Sequence, residues 1–377
     1  MSEYNQTKIL KIAKRYANSK RPYLLVNPIQ AKHVPTRPGE AICMMRDLGE
    51  QVSKKYPDTG VVIAFAETAT AIGAIVASCF KDCTYVQTTR EAYPSDCDCM
   101  CFQEEHSHAV EQKLCKTHLL KAFESTETVI LVDDEISTGK TLINIVKEIK
   151  EAYPCTEDKQ FVSVSIINRL SDENVDLLLR NGIKCESLLK IVNQNYDKVV
   201  ENIQIDAPLE LTDGAEFSVE KISMHGVGNP RVGLAINGYV TNCQRLATDV
   251  FKRLRNNLKS SKKVLVLGTE EFMYPSLVLA QEIENRVKGC SAFVHATTRS
   301  PIGVCKIEGY PIQNGYRLSS FYDNERQTFL YNLDYYDEVI ILTDGDVDST
   351  GGLKDVISAL SLYGCKNFFA IRSVDCV

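Results

Sequence analysis

The segment ILVDDEISTGKTL (130–142) sets two adjacent acids, Asp133 and Asp134, at the end of an apolar run and follows them with the turn STGKT. A turn that opens a helix points unbonded N–H groups and the positive end of the helix dipole outward, which suits a phosphate. Ser137, Thr138 and Thr141 add hydroxyl donors, Gly139 permits close backbone approach and Lys140 adds charge. Two carboxylates beside a phosphate cradle would repel the phosphate itself. They make sense holding sugar hydroxyls or a hydrated magnesium ion. The alternatives are an ordinary strand–helix turn with solvated acids and a nucleotide-binding P-loop. The P-loop needs Gly at position 134, where Asp134 stands.

The elements that would position this turn can be read from apolar patterning. GVVIAFA (60–66), CTYVQTT (83–89), TVILVDD (128–134) and FVSVSIINRL (161–170) predict buried strands. ETATAIGAIVASCF (67–80), KTLINIVKEIKEA (140–152) and DENVDLLLRNG (172–182) predict helices between them. The alternation implies an α/β protein with a mainly parallel sheet covered on both faces. The core can hold a ligand at the carboxyl edge of its strands.

The pattern then repeats. VVIAFAETATAIGAIVAS (61–78) lines up with VLVLGTEEFMYPSLVLAQ (264–281), TYVQTTREAYP (84–94) with AFVHATTRSPIG (292–303), and VILVDDEISTGKTLINIVKEI (129–149) with VIILTDGDVDSTGGLKDVISAL (339–360). Three blocks in one order predict two tandem copies of one domain, at 1–215 and 216–377, joined within the Gly-, Asp-, Asn- and Pro-rich stretch 205–235. The net charge of −6 argues against a basic nucleic-acid binder. No apolar run is long enough for a membrane span, and the N-terminal residues have no signal-peptide core. Fourteen scattered cysteines are expected to be free thiols in a reducing cytoplasm.

The paired acids and the Ser/Thr–Gly–x–Thr turn resemble the phosphoribosyl pyrophosphate (PRPP) signature of type I phosphoribosyltransferases. The blocks AETATAIG (66–73), TTREAYP (88–94), EEHSHA (104–109), VDDEISTGKT (132–141), LGTEEFMYPSL (267–277) and TTRSPIG (297–303) run in order across nearly the whole chain. In this they resemble the phosphoribosyltransferase-like proteins of bacterial tellurite-resistance and stress gene clusters, which add a C-terminal domain named for its Thr-Arg-Ser-Pro motif. The resemblance implies two tandem Rossmann-like phosphoribosyltransferase domains, the second degenerate. It implies Mg2+-dependent transfer of phosphoribosyl from PRPP to a small nitrogenous, nucleobase-like acceptor. Asp133 and Asp134 would meet the ribose hydroxyls and, directly or through water, the magnesium. Ser137, Thr138, Gly139, Lys140 and Thr141 would bind the 5′-phosphate. Glu67, Thr68, Ala69 and Thr70 would form the pyrophosphate turn, with Arg90 as its cation. A homo-oligomer is also expected.

Between the second and third strands, residues 91–118 read as a polar insertion outside the core. The resemblance makes it a loop closing over PRPP, with Glu104, Glu105, His106 and His108 as candidates for proton transfer. One alternative is zinc held by Cys97, Cys99, Cys101, Cys115, His106, His108 and His118, although the spacing lacks the usual knuckle, and the other is a merely solvated loop. A variable hood over the acceptor falls at about 168–200 by the same resemblance. In the second copy Glu270, Thr298, Arg299, Ser300, Asp344, Asp346, Thr350 and Gly351 mark a degenerate pocket. The rival functions are a non-catalytic PRPP or nucleotide sensor and an enzyme like PRPP synthetase. The synthetase carries its signature in the C-terminal copy, whereas here the stronger signature is N-terminal.

Overall fold

The computed structural model describes residues 4–18, 21–92, 98–102, 112–192, 194–211 and 218–375. The chain forms two compact units that interleave along the sequence. Ile42–Gln194 and Gly228–Thr241 belong to the first; Asn5–Ala41, Asn195–Val227 and Asn242–Val377 belong to the second. These spatial units cut across the expected repeat boundary at 215/216. Non-local pairings accompany this: Thr36 exchanges backbone bonds of 3.1 and 2.9 Å with Val294, Asp206 exchanges bonds of 2.8 and 2.9 Å with Val304, and Leu234–Ala235 pairs with Thr84 and Tyr85.

In the first unit, strand Thr59–Ala64 lies between Thr84–Gln87 and Thr128–Ile136, with Gln160–Asn168 and Ile183–Lys190 continuing the sheet. These five strands are parallel. Leu234–Ala235 adds a short antiparallel edge beside Thr84–Gln87. Apolar residues fill the central strands on both faces: Val61–Ala64 and Val129–Val132 are wholly buried. Helix Lys140–Ala152 buries Leu142, Ile145, Val146 and Ile149, the one-face spacing of an amphipathic helix. Strand Ile183–Lys190 falls where a hood was expected over 168–200. Its backbone pairs in register with Gln160–Asn168, so it is part of the sheet.

The second unit has a five-stranded parallel sheet in the order Val219–His225, Phe368–Val374, Glu338–Thr343, Lys263–Gly268, Ser291–Ala296. When the strands of each repeat are numbered in chain order, both sheets run 2-1-3-4. The fifth place differs. The first unit fills it with Ile183–Lys190, which follows strand 4 in the chain; the second fills it with Val219–His225, which precedes strand 1.

Each unit also carries a β-hairpin between its second and third strands: Cys99–Phe102 with Gln112–Cys115, and Gly315–Ser319 with Gln327–Tyr331. Both dock on the end of strand 2. Thr89 and Lys113 exchange backbone bonds of 2.9 and 2.8 Å, and Thr298 and Phe329 exchange bonds of 2.9 and 2.7 Å. The reading of 91–118 as wholly outside the core is therefore corrected. Met100, Phe102, Leu114 and Cys115 are buried in the first unit's core. The alternation in CMCF and QKLC turns Met100, Phe102, Gln112 and Leu114 inward, while Cys99, Cys101, Lys113 and Cys115 share the other face, on which Cys115 is also buried.

Candidate functional site

Parallel strands bring their carboxyl ends to one edge of the sheet. In the first unit that edge carries the turns after Ala64, Gln87, Ile136 and Asn168. Strand Thr128–Ile136 runs two residues past the expected 128–134, adding Glu135 and Ile136, with Asp133 and Asp134 on the strand as expected. Both are half-buried, and the Asp134 N–H donates to Asp133 Oδ1 at 2.9 Å. Ser137 and Thr138 lead into Gly139, which has φ +76°. That left-handed conformation favours glycine, and a Cβ there would lie 2.7 Å from Leu178 Cδ1. Helix Lys140–Ala152 then starts with no side-chain cap. The Lys140 side chain is exposed and Thr141 is half-buried.

The turn after Ala64 is braced from several sides. Thr88 Oγ1 accepts from the Ala66 N–H at 2.8 Å, and Gln112 Nε2 donates to the Ala66 carbonyl at 3.0 Å. The Ala66–Glu67 peptide is cis. Glu67, Ala69 and Thr70 are buried and Thr68 is half-buried. Thr70 Oγ1 donates to the Glu67 carbonyl at 3.4 Å. Arg90 follows the Thr89–Lys113 pairing and is half-buried.

One feature was not read from the sequence. Glu135 pairs with Arg169 Nε, with their side chains only 11% and 7% exposed. Arg169 follows strand Gln160–Asn168, and its N–H donates to the Ile136 carbonyl at 3.0 Å. The signal was present as a third acid in DDE and an Arg at the end of an apolar strand. Only the side-by-side register of the two strands joins them. Glu104, Glu105, His106 and His108 lie outside the described residues. Among the described residues, Cys99, Cys101, Cys115 and His118 form no group of three or more metal-ligating side chains.

The second unit's marked residues fall into a bonded network. Glu270, fully buried, accepts from Arg299 Nε at 2.8 Å, Arg326 Nη1 at 3.2 Å and Ser320 Oγ at 2.5 Å. Lys32, 1% exposed, donates to the carbonyls of Glu270 and Thr297 at 2.7 and 2.9 Å. Tyr322 Oη donates to Asp344 Oδ1 at 2.5 Å and lies 2.7 Å from Thr269 Oγ1. Thr269 Oγ1 in turn donates to Thr343 Oγ1 at 2.8 Å. Ser320–Arg326, the connection of the second hairpin, thus reaches both Glu270 and Asp344. The close approach extends to the glycine turn: a Cβ on Gly352 would lie 2.8 Å from Phe321 Cδ2. Thr350 Oγ1 accepts from the Gly352 N–H at 3.4 Å, and a Cβ on Gly351 would meet Ser319 Oγ at 2.9 Å. Asp346 is directed elsewhere, to Arg372 Nη1 at 3.3 Å. The Thr-Arg-Ser-Pro motif is an anchor in this geometry. Thr298 pairs with Phe329, and the Ser300 carbonyl accepts from Tyr331 Oη at 2.7 Å.

His295, on strand Ser291–Ala296 of the same unit, has its Nε2 2.8 Å from the Tyr331 carbonyl, which accepts its proton. Burial pushes its pKa down from 6.5 to about 4, with Lys32 adding repulsion. The folded state therefore binds fewer protons than the unfolded state below about pH 6.5. Stability is full above that pH and falls as the pH drops toward about 4. The His295 contribution lost between about pH 7 and pH 5 is on the order of 2 kcal/mol. Glu338, which burial raises from 4.5 to about 7, shifts stability the opposite way over the same window. The His295 share is therefore read from urea titrations as the difference between wild type and His295→Gln at the two pH values.

Comparison with known proteins adds to this geometry. Residues 9–191 match the family model described as phosphoribosyl transferase. Residues 229–360 match the TRSP domain that lies C-terminal to that transferase. Similar solved structures include the adenine phosphoribosyltransferase of Trypanosoma brucei, with 14% identity, a TM-score of 0.36, and coverage of 49% of this chain and 77% of that one. The APRTase of Giardia lamblia shows 16% identity, a TM-score of 0.37, and coverage of 49% and 94%. No curated protein matches the chain. The fold is α/β with mainly parallel sheets, and the two family matches together span most of the chain. More particularly, the chain carries a phosphoribosyl transferase domain followed by a TRSP domain. No described helix is long and apolar enough to cross a membrane.

Proposed function

We propose that the first unit transfers the phosphoribosyl group of PRPP to a small nitrogenous, nucleobase-like acceptor. The observation that carries this is the Thr128–Ile136 strand, which delivers Asp133 and Asp134 to the sheet edge directly before the Gly139 turn and an uncapped helix. The N–H groups of the turn and the hydroxyls of Ser137, Thr138 and Thr141, with Lys140, take the 5′-phosphate. Asp133 and Asp134 accept from the ribose 2′ and 3′ hydroxyls. The turn over Glu67–Thr70 and the Arg90 guanidinium receive the pyrophosphate. The acceptor nitrogen attacks ribose C1 as the C1–O bond to pyrophosphate breaks. Positioning and charge stabilisation on the leaving group supply most of the acceleration.

Asp133 and Asp134 are the residues that would hold a magnesium ion, directly or through water, since Glu135, the third acid of the run, is paired with Arg169. Bound there, the ion would neutralise charge developing on pyrophosphate. Glu105, His106 and His108 remain the proposed proton-transfer residues. The second unit is proposed as a degenerate copy of the first, a reading that the shared strand order supports. A homo-oligomer and a role in nucleotide-like metabolite synthesis linked to stress or tellurite resistance belong to the same proposal and rest on the resemblance in motif order; a cytoplasmic location rests on the scattered cysteines.

The test is pyrophosphate release from PRPP and Mg2+ with a panel of nucleobases and related nitrogen compounds. Release with at least one acceptor, and a product heavier than that acceptor by one phosphoribosyl group, is the expected result. Tight PRPP binding with no release for any acceptor would favour the sensor reading.

A further inference from the structure

The first hairpin places two cysteines opposite one another. Cys99 on strand Cys99–Phe102 faces Cys115 on strand Gln112–Cys115 across an antiparallel pair. Two observations show which kind of pair this is. The Lys113 N–H and carbonyl bond to Thr89, at 2.8 and 2.9 Å, so they point away from Cys101. The Lys116 N–H donates to the Asp98 carbonyl at 2.9 Å, just beyond Cys99 and Cys115. Narrow and wide pairs alternate, so Cys99 and Cys115 form a non-hydrogen-bonded pair. Facing Cα atoms in such pairs are about 4.5 Å apart with their side chains on the same face. That separation falls within the roughly 4.4–6.8 Å that a disulfide can bridge, at its short end.

The two thiols also differ in access. Cys99 is half-buried, whereas Cys115 is fully buried with its Sγ 3.1 Å from Thr117 Oγ1. We propose that Cys99 and Cys115 are an oxidative modification site, at which a hydroperoxide converts the two thiols into a cross-strand disulfide. The peroxide oxidises the more accessible Cys99 thiol to a sulfenic acid, releasing water when the oxidant is hydrogen peroxide. The Cys115 thiol then attacks that sulfur, the S–O bond breaks, a second water leaves and the S–S bond forms. A dithiol reductant reverses the change. The bond clamps the two strands beside the Thr89–Lys113 pairing.

The chain offers a direct assay. Trypsin cutting after Arg90, Lys113 and Lys116 separates Cys115, in the fragment 114–116, from Cys99 in 91–113. After hydrogen peroxide treatment of the full chain and blocking of remaining thiols, mass spectrometry should find these fragments joined. Dithiothreitol should separate them. The joined species should be lost in Cys99→Ser and retained in Cys101→Ser. Cys43, exposed on the first unit's surface, reports that the oxidant was active. The proposal is overturned if Cys43 is oxidised while the fragments stay apart. It is equally overturned if the link survives in Cys99→Ser, which would assign Cys115 to another partner in 91–113.

Discussion

Replacing both Asp133 and Asp134 by Asn should weaken PRPP binding by roughly 10²–10⁴ with the fold intact. Each acid is expected to hold a charge-assisted bond to a ribose hydroxyl. Bonds to charged groups are worth about 1.5–3 kcal/mol each. The substitution is gentle on the protein. Both side chains are half-buried at the sheet edge, and an Asn oxygen at position 133 can still accept from the N–H at 134. Calorimetry with Mg2+ and PRPP checks the affinity, and thermal unfolding checks the fold. Unchanged affinity in a folded double variant would remove these acids from the site.

Glu270→Gln should destabilise the second unit by about 3–5 kcal/mol, the cost of removing one partner from a buried ionic cluster. Arg299 and Arg326 both bond this carboxylate, with side chains only 14% and 18% exposed. Lys32 is fixed on the same residue's carbonyl. Without the carboxylate, Arg299 keeps Glu271 at 3.9 Å from its Nη2, and Arg326 keeps the more exposed Asp323 at 3.6 Å from its Nη2. Urea unfolding followed by circular dichroism measures the loss. The alternative reading, in which Glu270 and Arg299 serve a ligand, predicts a variant as stable as wild type with a lost ligand. A normal unfolding midpoint in Glu270→Gln would therefore return the pair to a binding role.

What the sequence displays is largely local. Strand Thr128–Ile136, its turn and helix Lys140–Ala152 are contiguous, and their apolar spacing announces them. The repeat makes the second parallel sheet legible as well. Features made by distant register were harder to see. Glu135 meets Arg169 only because two strands run beside each other past their apolar stretches. The first hairpin hides among charges and cysteines, and its inward face is only two residues on each strand: Met100 and Phe102, Gln112 and Leu114. Lys32 carries no local sign that it is interred, because its acceptors are carbonyls more than two hundred residues away. The marked residues of the second copy were recognisable by alignment with the first. Their mutual bonding was not, since Ser320, Tyr322 and Arg326 have no counterpart in the motif blocks.

The fifth place in the second sheet has a practical corollary for dissecting the protein. The matched TRSP segment, 229–360, begins after Val219–His225 and ends before Phe368–Val374. Those two strands are adjacent in the sheet and flank Glu338–Thr343 on one side. A recombinant fragment trimmed to the limits of sequence similarity would discard both and bare the backbone edge of Glu338–Thr343, a template for unwanted strand addition. It would also leave Glu270 and Thr297 without the lysine supplied by the N-terminal segment. The span that sequence comparison recognises is therefore smaller than the span that folds, and excision at its ends is a poor route to an autonomous module.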